Sequence, residues 1–192
     1  MSCQLELTYN DDRWATIVSP DQEGCNQYLE KVYLTNKTAL HIGIGNSSVY
    51  AKFGNVLSKL DGITIMESEI LVAHSLVKTC RYKLFKINKY NPDSILLLDN
   101  YDVIVDNNLK QHACCPFHWR VYFKNILTKL NPNGFLLTHT QGFAPHSDKI
   151  DSLSVDELKY LTHGTNYPVT EKKDFKNEWG FYPVIIKHVN LS

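Results

Sequence analysis

The residues best suited to chemistry begin at Leu40-His41-Ile42-Gly43-Ile44-Gly45-Asn46-Ser47-Ser48, where a short apolar run enters a turn with two glycines. Gly43 and Gly45 carry no Cβ, so the backbone there can bend sharply and let a ligand come close. Asn46, Ser47 and Ser48 can each serve as N-cap for a helix predicted over 49–59. Strand, bare turn and helix N-terminus together make a seat for a nucleotide-like ligand. A strict dinucleotide fingerprint needs a third glycine at position 48, where this chain has Ser48. That glycine lets the helix pack tightly beneath a pyrophosphate. Its absence favours a ligand that carries adenosine and an amino-acid group and no pyrophosphate. An ordinary strand-to-helix turn would contain the same residues.

Glu67 stands 22 positions after Gly45, at the end of the apolar run Ile63-Thr64-Ile65-Met66. An acid about 20 residues beyond a glycine turn, at the tip of the next strand, is placed to hold a ribose. A carboxylate accepts two hydrogen bonds from vicinal hydroxyls and repels a phosphate at the same place. A charge favoured by the start of a helix is the other account of Glu67, and Glu69 is read in that way alone. Asn88 ends the next strand and either meets an adenine edge or opens the 88–92 loop. Asp106 and Asn107 end the fourth strand, His112 follows, and His139 and Gln141 stand near the end of the fifth. The C-terminal edge of a parallel sheet is where ligands bind, so these polar groups are candidates for substrate handling. His112 or His139 could act as base, because an imidazole titrates near working pH. A solvated loop would also look polar, and Asn107-Asn108 is an ordinary turn pair.

The elements that must position these groups follow from periodicity. Tyr28, Leu29, Val32 and Tyr33 fall at helical spacing and predict a helix over 24–35. After the glycine turn and its helix, Asp61-Gly62 is a turn signal, followed by a strand over 63–66. A helix over 68–79 carries Ile70, Leu71, His74 and Val77 on one stripe, with His74 as an interface histidine. A strand over 82–87, a short helix over 94–98 and an almost wholly apolar strand over 101–106 come next. Trp119, Tyr122, Phe123, Ile126 and Leu127 make the core stripe of a helix over 116–130, closed by Asn131-Pro132-Asn133-Gly134. A strand over 135–140 leads to a loop over 142–146 above the same edge. Ser154 and Glu157 form a capping box. Strands near 167–170 and 181–189 read as a terminal antiparallel hairpin. Strands alternating with helices predict an α/β, doubly wound, mostly parallel sheet with helices on both faces.

With 192 residues the chain suits a single domain, 1–192, with 1–24 as an N-terminal extension whose Tyr9 and Trp14 could cover one edge of the site. Hydrophobic residues at 43% and charged residues at 21% fit a globular protein. Twenty basic residues balance twenty acidic ones, which argues against a nucleic-acid footprint or an anionic membrane partner. The start lacks a signal core and no run reaches membrane-spanning length, so a cytoplasmic setting is expected. Five cysteines, an odd number without C-x-x-C spacing, predict neither a disulfide framework nor a metal site. Cys114 and Cys115 are read as small buried hydrophobes.

On these residues the chain resembles the class I S-adenosylmethionine-dependent methyltransferases. The stretches that carry the resemblance are Leu40 to Ser47 as the glycine motif, Ile65-Met66-Glu67 as the acidic strand end, Tyr101 to Asp106 as the fourth strand, and Leu130 to Leu136 as the turn into the fifth. The resemblance covers roughly residues 25 to 190 and implies seven strands, with the last antiparallel. It implies S-adenosyl-L-methionine as cofactor, lying across strands one to four. His41, Gly43, Ile44, Gly45, Asn46 and Ser47 would then bound the methionine part. Glu67 and Ser68 would hold the ribose, Asn88 would meet adenine, and Asp106 would sit near the methionine amino group or the substrate. Asn88 replaces the family's usual acid. Asp106-Asn107-Asn108-Leu109 stands where DNA-amino methyltransferases have Asn or Asp, Pro, Pro and an aromatic, which weakens a nucleic-acid base as substrate. The implied reaction is in-line transfer of a methyl group to a small-molecule acceptor, with Asp106, Asn107, His112 and His139 as candidate catalytic residues. Two rivals remain: an aminopropyltransferase related to polyamine synthases, whose two-acid signature Glu67-Ser68-Glu69 resembles, and a non-catalytic S-adenosylmethionine-binding module.

Overall fold

Apolar runs separated by Gly, Pro and Asn turns become strands in the structure, a computed structural model that describes residues 12–77, 81–143 and 152–190. The strands are β1 (Thr38–Ile42), β2 (Lys59–Thr64), β3 (Tyr82–Lys86), β4 (Tyr101–Val105), β5 (Leu130–His139), β6 (Val169–Glu171) and β7 (Pro183–Lys187). They form one seven-stranded sheet in the order β3-β2-β1-β4-β5-β7-β6. Strands β1 to β5 run parallel, β7 is antiparallel to β5, and β6 is antiparallel to β7. The helices are α1 (Pro20–Leu29), α2 (Ser48–Phe53), α3 (Glu67–Leu76), α4 (Pro92–Leu96), α5 (Pro116–Leu127) and α6 (Val155–Thr162).

Successive strand residues face opposite ways, and both faces are apolar because both are covered. Ala39, Val103, Val105 and Leu137 meet Leu29 of α1, Val49 and Phe53 of α2 and Ala73 of α3. Leu40, Ile42, Ile104 and Leu136 meet Ile95 of α4, Trp119, Tyr122 and Ile126 of α5 and Leu158 of α6. The expected doubly wound α/β sheet with its C-terminal antiparallel hairpin is therefore the observed one. Among the described residues, no helix is long and apolar enough to cross a membrane.

Several boundaries differ from the periodicity reading, each for a local reason. Helix α1 starts at Pro20, with Asp21 and Glu23 in its first turn, because proline suits the first helical position and acids suit the positive end. Helix α2 stops at Phe53, well short of residue 59. The following Gly54 lies so close to Tyr50 that a Cβ there would fall 2.7 Å from its ring. Asp61-Gly62 is no turn but the middle of β2. Asp61 is buried and accepts from Tyr101 Oη at 2.6 Å and Lys59 Nζ at 2.7 Å. A Cβ on Gly62 would sit 2.8 Å from Ile44 Cγ2, so the glycine lets α2's approach pack against β2. His74 is exposed rather than at an interface. Residues 130–134 join β5 through a bulge opposite β4, with Asn133 left-handed at φ 65 and Gly134 pressed against the carbonyls of Asn131 and Asp102. Ser154 caps α6 as expected, accepting from Glu157 N at 3.0 Å.

The Tyr101 hydroxyl partners a buried carboxylate, and a hydrogen bond to a charged group is worth about 1.5–3 kcal/mol. Tyr101→Phe should lower the unfolding free energy by about that amount with an unchanged denaturant slope, as read from urea titration. A loss below about 0.5 kcal/mol would show that Lys59 alone satisfies Asp61.

Candidate functional site

From β1 the chain winds outward to β2 and β3, and from β4 it winds the other way to β5. The crevice outside the carboxyl ends of β1 and β4 is the place where such a sheet binds ligands. A cavity of about 380 Å³ opens there. Its floor is Ile42-Gly43 and Gly45 after β1, Ile63 to Met66 at the end of β2, Ile87 to Tyr90 after β3, and Asp106 to Asn108 after β4. Its cover comes from the N-terminal side: Trp14 in a 3-10 turn over Asp12–Ala15, then Ser19 to Gln22 at the start of α1. Gln111, His112, Ala113 and Gln141 close the remaining wall.

At the glycine turn, Gly43 and Gly45 both adopt left-handed φ values, 67 and 51. The space where a Gly43 Cβ would stand is open for 4 Å, whereas a Gly45 Cβ would come within 3.2 Å of the Trp14 carbonyl. One glycine therefore leaves room for a ligand, and the other leaves room for the cover. Ser47 is the N-cap of α2 but is left-handed itself, and its hydroxyl lies 3.3 Å from Tyr82 Oη. Asn46 does the capping instead, its Oδ1 accepting from Ser48 N at 3.2 Å. His41, Ile44, Asn46 and Ser47 do not line the cavity; His41 and Ile44 are fully buried behind it.

The two acids beyond β2 are placed differently from the spacing argument. Glu67 opens α3, is exposed, and pairs with Lys86 Nζ at 2.7 Å outside the cavity. Glu69 stands two residues on, roughly 200° around the helix, and turns back to the glycine turn. It is 7% exposed, lines the cavity, and accepts from Gly45 N at 3.1 Å. Burial pushes its carboxyl above the ordinary value, against the hydrogen bonds from Thr64 and the Gly45 amide. Ser68, between them, does not line the cavity. The helix phase, set by α3 beginning at Glu67, decides which acid faces in.

Asn88 lines the cavity, with its Oδ1 occupied by Tyr90 N at 2.9 Å. Asp106 is fully buried and heavily satisfied. Lys89 Nζ donates to both its oxygens at 2.9 Å and to the Asn108 carbonyl at 2.7 Å, and Tyr122 Oη donates to Oδ2 at 2.5 Å. Burial lowers the Lys89 ammonium from its ordinary value, opposed by the attraction of Asp106. Asn107 Nδ2 reaches across to Asp21 Oδ2 at 2.5 Å and ties the β4 tip to α1. His112 lines the wall, whereas His139 does not. The His139 ring lies under α1 so closely that a Cβ on Gly24 would be 2.6 Å from its Nε2, and Nδ1 accepts from Gln141 N at 3.4 Å. Lys89, Asp21 and Gln22 were not singled out in the sequence; the one available signal was Lys89 standing beside Asn88 at a strand tip. The loop expected over this edge lies outside the described residues from 144 onward, as does Tyr9.

No family model matches the chain, and no curated protein matches it. Solved structures do. The N-methyltransferase NodS from Bradyrhizobium japonicum WM9, in complex with S-adenosyl-L-homocysteine, is similar over 94% of each chain at TM-score 0.65 and 16% identity. A chain of the complex between the Haloferax volcanii Trm112 methyltransferase activator and a putative methyltransferase is similar over 96% of this chain and all of that one, at TM-score 0.70 and 12% identity. An rRNA methylase from Streptococcus thermophilus is similar over 91% of this chain and all of that one, at TM-score 0.62 and 13% identity. The fold is that of the class I S-adenosylmethionine-dependent methyltransferases.

His41 and His139 are held neutral by burial, which lowers them from 6.5 to about 3 and about 4. The unfolded chain takes up these protons first as pH falls. The stability they confer is complete above about pH 6.5 and is lost on acidification toward pH 4 and below, with a slope of at most about 1.4 kcal/mol per pH unit for each ring. Urea midpoints followed downward from neutral pH should show this fall, and His41→Leu should flatten it. An unchanged slope in that variant would mean that the ring is not held neutral.

Proposed function

We propose that this chain is an S-adenosylmethionine-dependent methyltransferase acting on a small-molecule acceptor. In this reading residues 1–192 work as a single cytoplasmic domain, and the N-terminal segment serves as cover to the site. The observation that carries it is the cavity at the strand-order reversal, with open space over Gly43 on one side and the buried Glu69 carboxylate on the other. A carboxylate beside a bare backbone turn fits an adenosine ribose and an adjoining amino-acid arm, and it disfavours a pyrophosphate. In support, NodS, of the same fold, was solved with S-adenosyl-L-homocysteine.

Glu69 would hold the ribose hydroxyls, Gly43 and Gly45 the methionine arm, and Asn88 with the apolar Ile65 and Ile87 the adenine. When bound, the cofactor supplies an electrophilic methyl on a sulfonium, which an acceptor lone pair displaces in line. The protein's share is orientation, worth several kcal/mol of barrier, on the order of 7–11 at most. Asp106 is spoken for by Lys89 and Tyr122, so it shapes the wall and does not abstract protons. His112 lines the wall and is the base where the acceptor must lose a proton; His139 has no contact with the cavity. With Asp106 offset by Lys89, the acids Asp21 and Glu69 leave the lining negative. That charge suits a cationic cofactor and an amine acceptor better than an anionic one.

Calorimetry with S-adenosylhomocysteine tests the reading. The wild type should bind; Glu69→Ala should weaken binding by about 10–100-fold, the loss of hydrogen bonds to a charged group; Glu67→Ala should leave it unchanged. Label from a methyl-labelled donor should then appear in a small-molecule fraction. Binding without any transfer would favour the non-catalytic module, and absence of binding would remove the reading altogether.

A further inference from the structure

Beside the cavity, and outside the functional reading above, three ligand-type side chains converge at the start of α5. Cys115 is the N-cap of that helix, Cys114 precedes it and His118 lies one turn on. His118 Nδ1 stands 3.2 Å from Cys114 Sγ and 3.3 Å from Cys115 Sγ, and the two sulfurs are 3.9 Å apart. At that separation the sulfurs are not bonded to each other, because a disulfide holds them at about 2.05 Å. All three side chains are partly exposed, in contrast to the buried, apolar role expected for the cysteines.

We propose that Cys114, Cys115 and His118 form a three-ligand site for a divalent metal ion of the zinc class. Zinc bonds of about 2.3 Å to sulfur and about 2.05 Å to nitrogen, set at tetrahedral angles, put two sulfurs about 3.8 Å apart and sulfur and nitrogen about 3.6 Å apart. The observed triangle lies within a few tenths of an ångström of those edges. Two thiolates and a neutral imidazole discharge a divalent cation, so the site adds no net charge at the helix N-terminus. Partial exposure leaves the fourth position to water, the open arrangement of a site with three protein ligands.

The triangle is built locally. Pro116 fixes the first helical φ, the helix brings residue 118 over its own N-cap, and His118 N donates to Cys115 Sγ at 3.5 Å. The adjoining residues His112 and Ala113 line the cavity wall, so a bound ion would anchor the end of that loop to α5.

The test uses the full chain, stripped of metal and titrated with Co²⁺. A thiolate-to-cobalt charge-transfer band should saturate at one ion per chain and be displaced by Zn²⁺. Cys114→Ser, Cys115→Ser and His118→Ala should each weaken binding by more than roughly 100-fold, beyond the ~10–100-fold typical of outer-shell partners. Serine is itself a favoured N-cap, so Cys115→Ser keeps the helix start. Cys25→Ser, in the buried core, should leave the band unchanged. Absence of the band means a hydrogen-bonded thiol pair only and overturns the proposal. A band that survives in all three ligand variants places the ion on other residues and overturns it equally. The readout needs no methyl donor, so it stands or falls apart from the methyltransferase reading.

Discussion

A buried carboxylate holds the ligand edge of the sheet in shape. Asp106 lies wholly out of water at the tip of β4, and removing such a charge from solvent costs several kcal/mol unless it is paired and hydrogen-bonded. Its partners come from three separate places: Lys89 beyond β3, Tyr122 in the middle of α5, and the backbone N–H of Asn108. Lys89 is itself pinned, since it also serves the Asn108 carbonyl and lies over the rings of Tyr90 and Tyr122. Moving any one of these elements would strand a charge, so the tips of β3 and β4 and the helix behind them keep one arrangement. A fixed edge of that kind is what a positioning site requires.

The sheet was legible because its pattern is one-dimensional. Runs such as Tyr101 to Val105 are apolar on both sides, and each is followed by a helix-length segment, so the winding follows from local sequence. The tips were legible for the same reason. Gly43, Gly45, Asn88, Asp106, Asn107 and His112, all read as strand-end groups, do line the cavity. What failed to read depended on phase or on distance. Glu67 and Glu69 differ by two positions, and only the start of α3 decides which faces in. His139 sits at a strand tip like the others, yet Gly24 lets α1 lie directly on its ring. Nothing near residue 139 encodes that helix.

The burial of the pair at Cys114-Cys115 was misread through a related limit, since both side chains are partly exposed at the start of α5. Adjacent cysteines carry no spacing signal such as C-x-x-C. A helix start carries His118 back over the two sulfurs, a contact that no spacing of the cysteines foretells. Spacing rules written for loops do not see side chains collected by a helical turn.

One fold hosts many activities, and the structures compared share only 12–16% identity with this chain. The chemistry open to this molecule follows from which groups share the cavity, and there the N-terminal segment matters more than its position suggests. Gln22 reaches the Ile44 carbonyl at 3.5 Å, Asn26 donates to Ser48 Oγ at 2.9 Å, and Asp21 accepts from Asn107 at 2.5 Å. Lower down the same helix, Cys25 and Leu29 are part of the apolar core. One helix is thus anchored by burial at its far end and bound by polar contacts to the glycine turn and the β4 tip at its near end. Without it the cavity would be an open groove, and Asp21 would be absent from its charge. The segment that reads as an appendage in the sequence is a wall of the site.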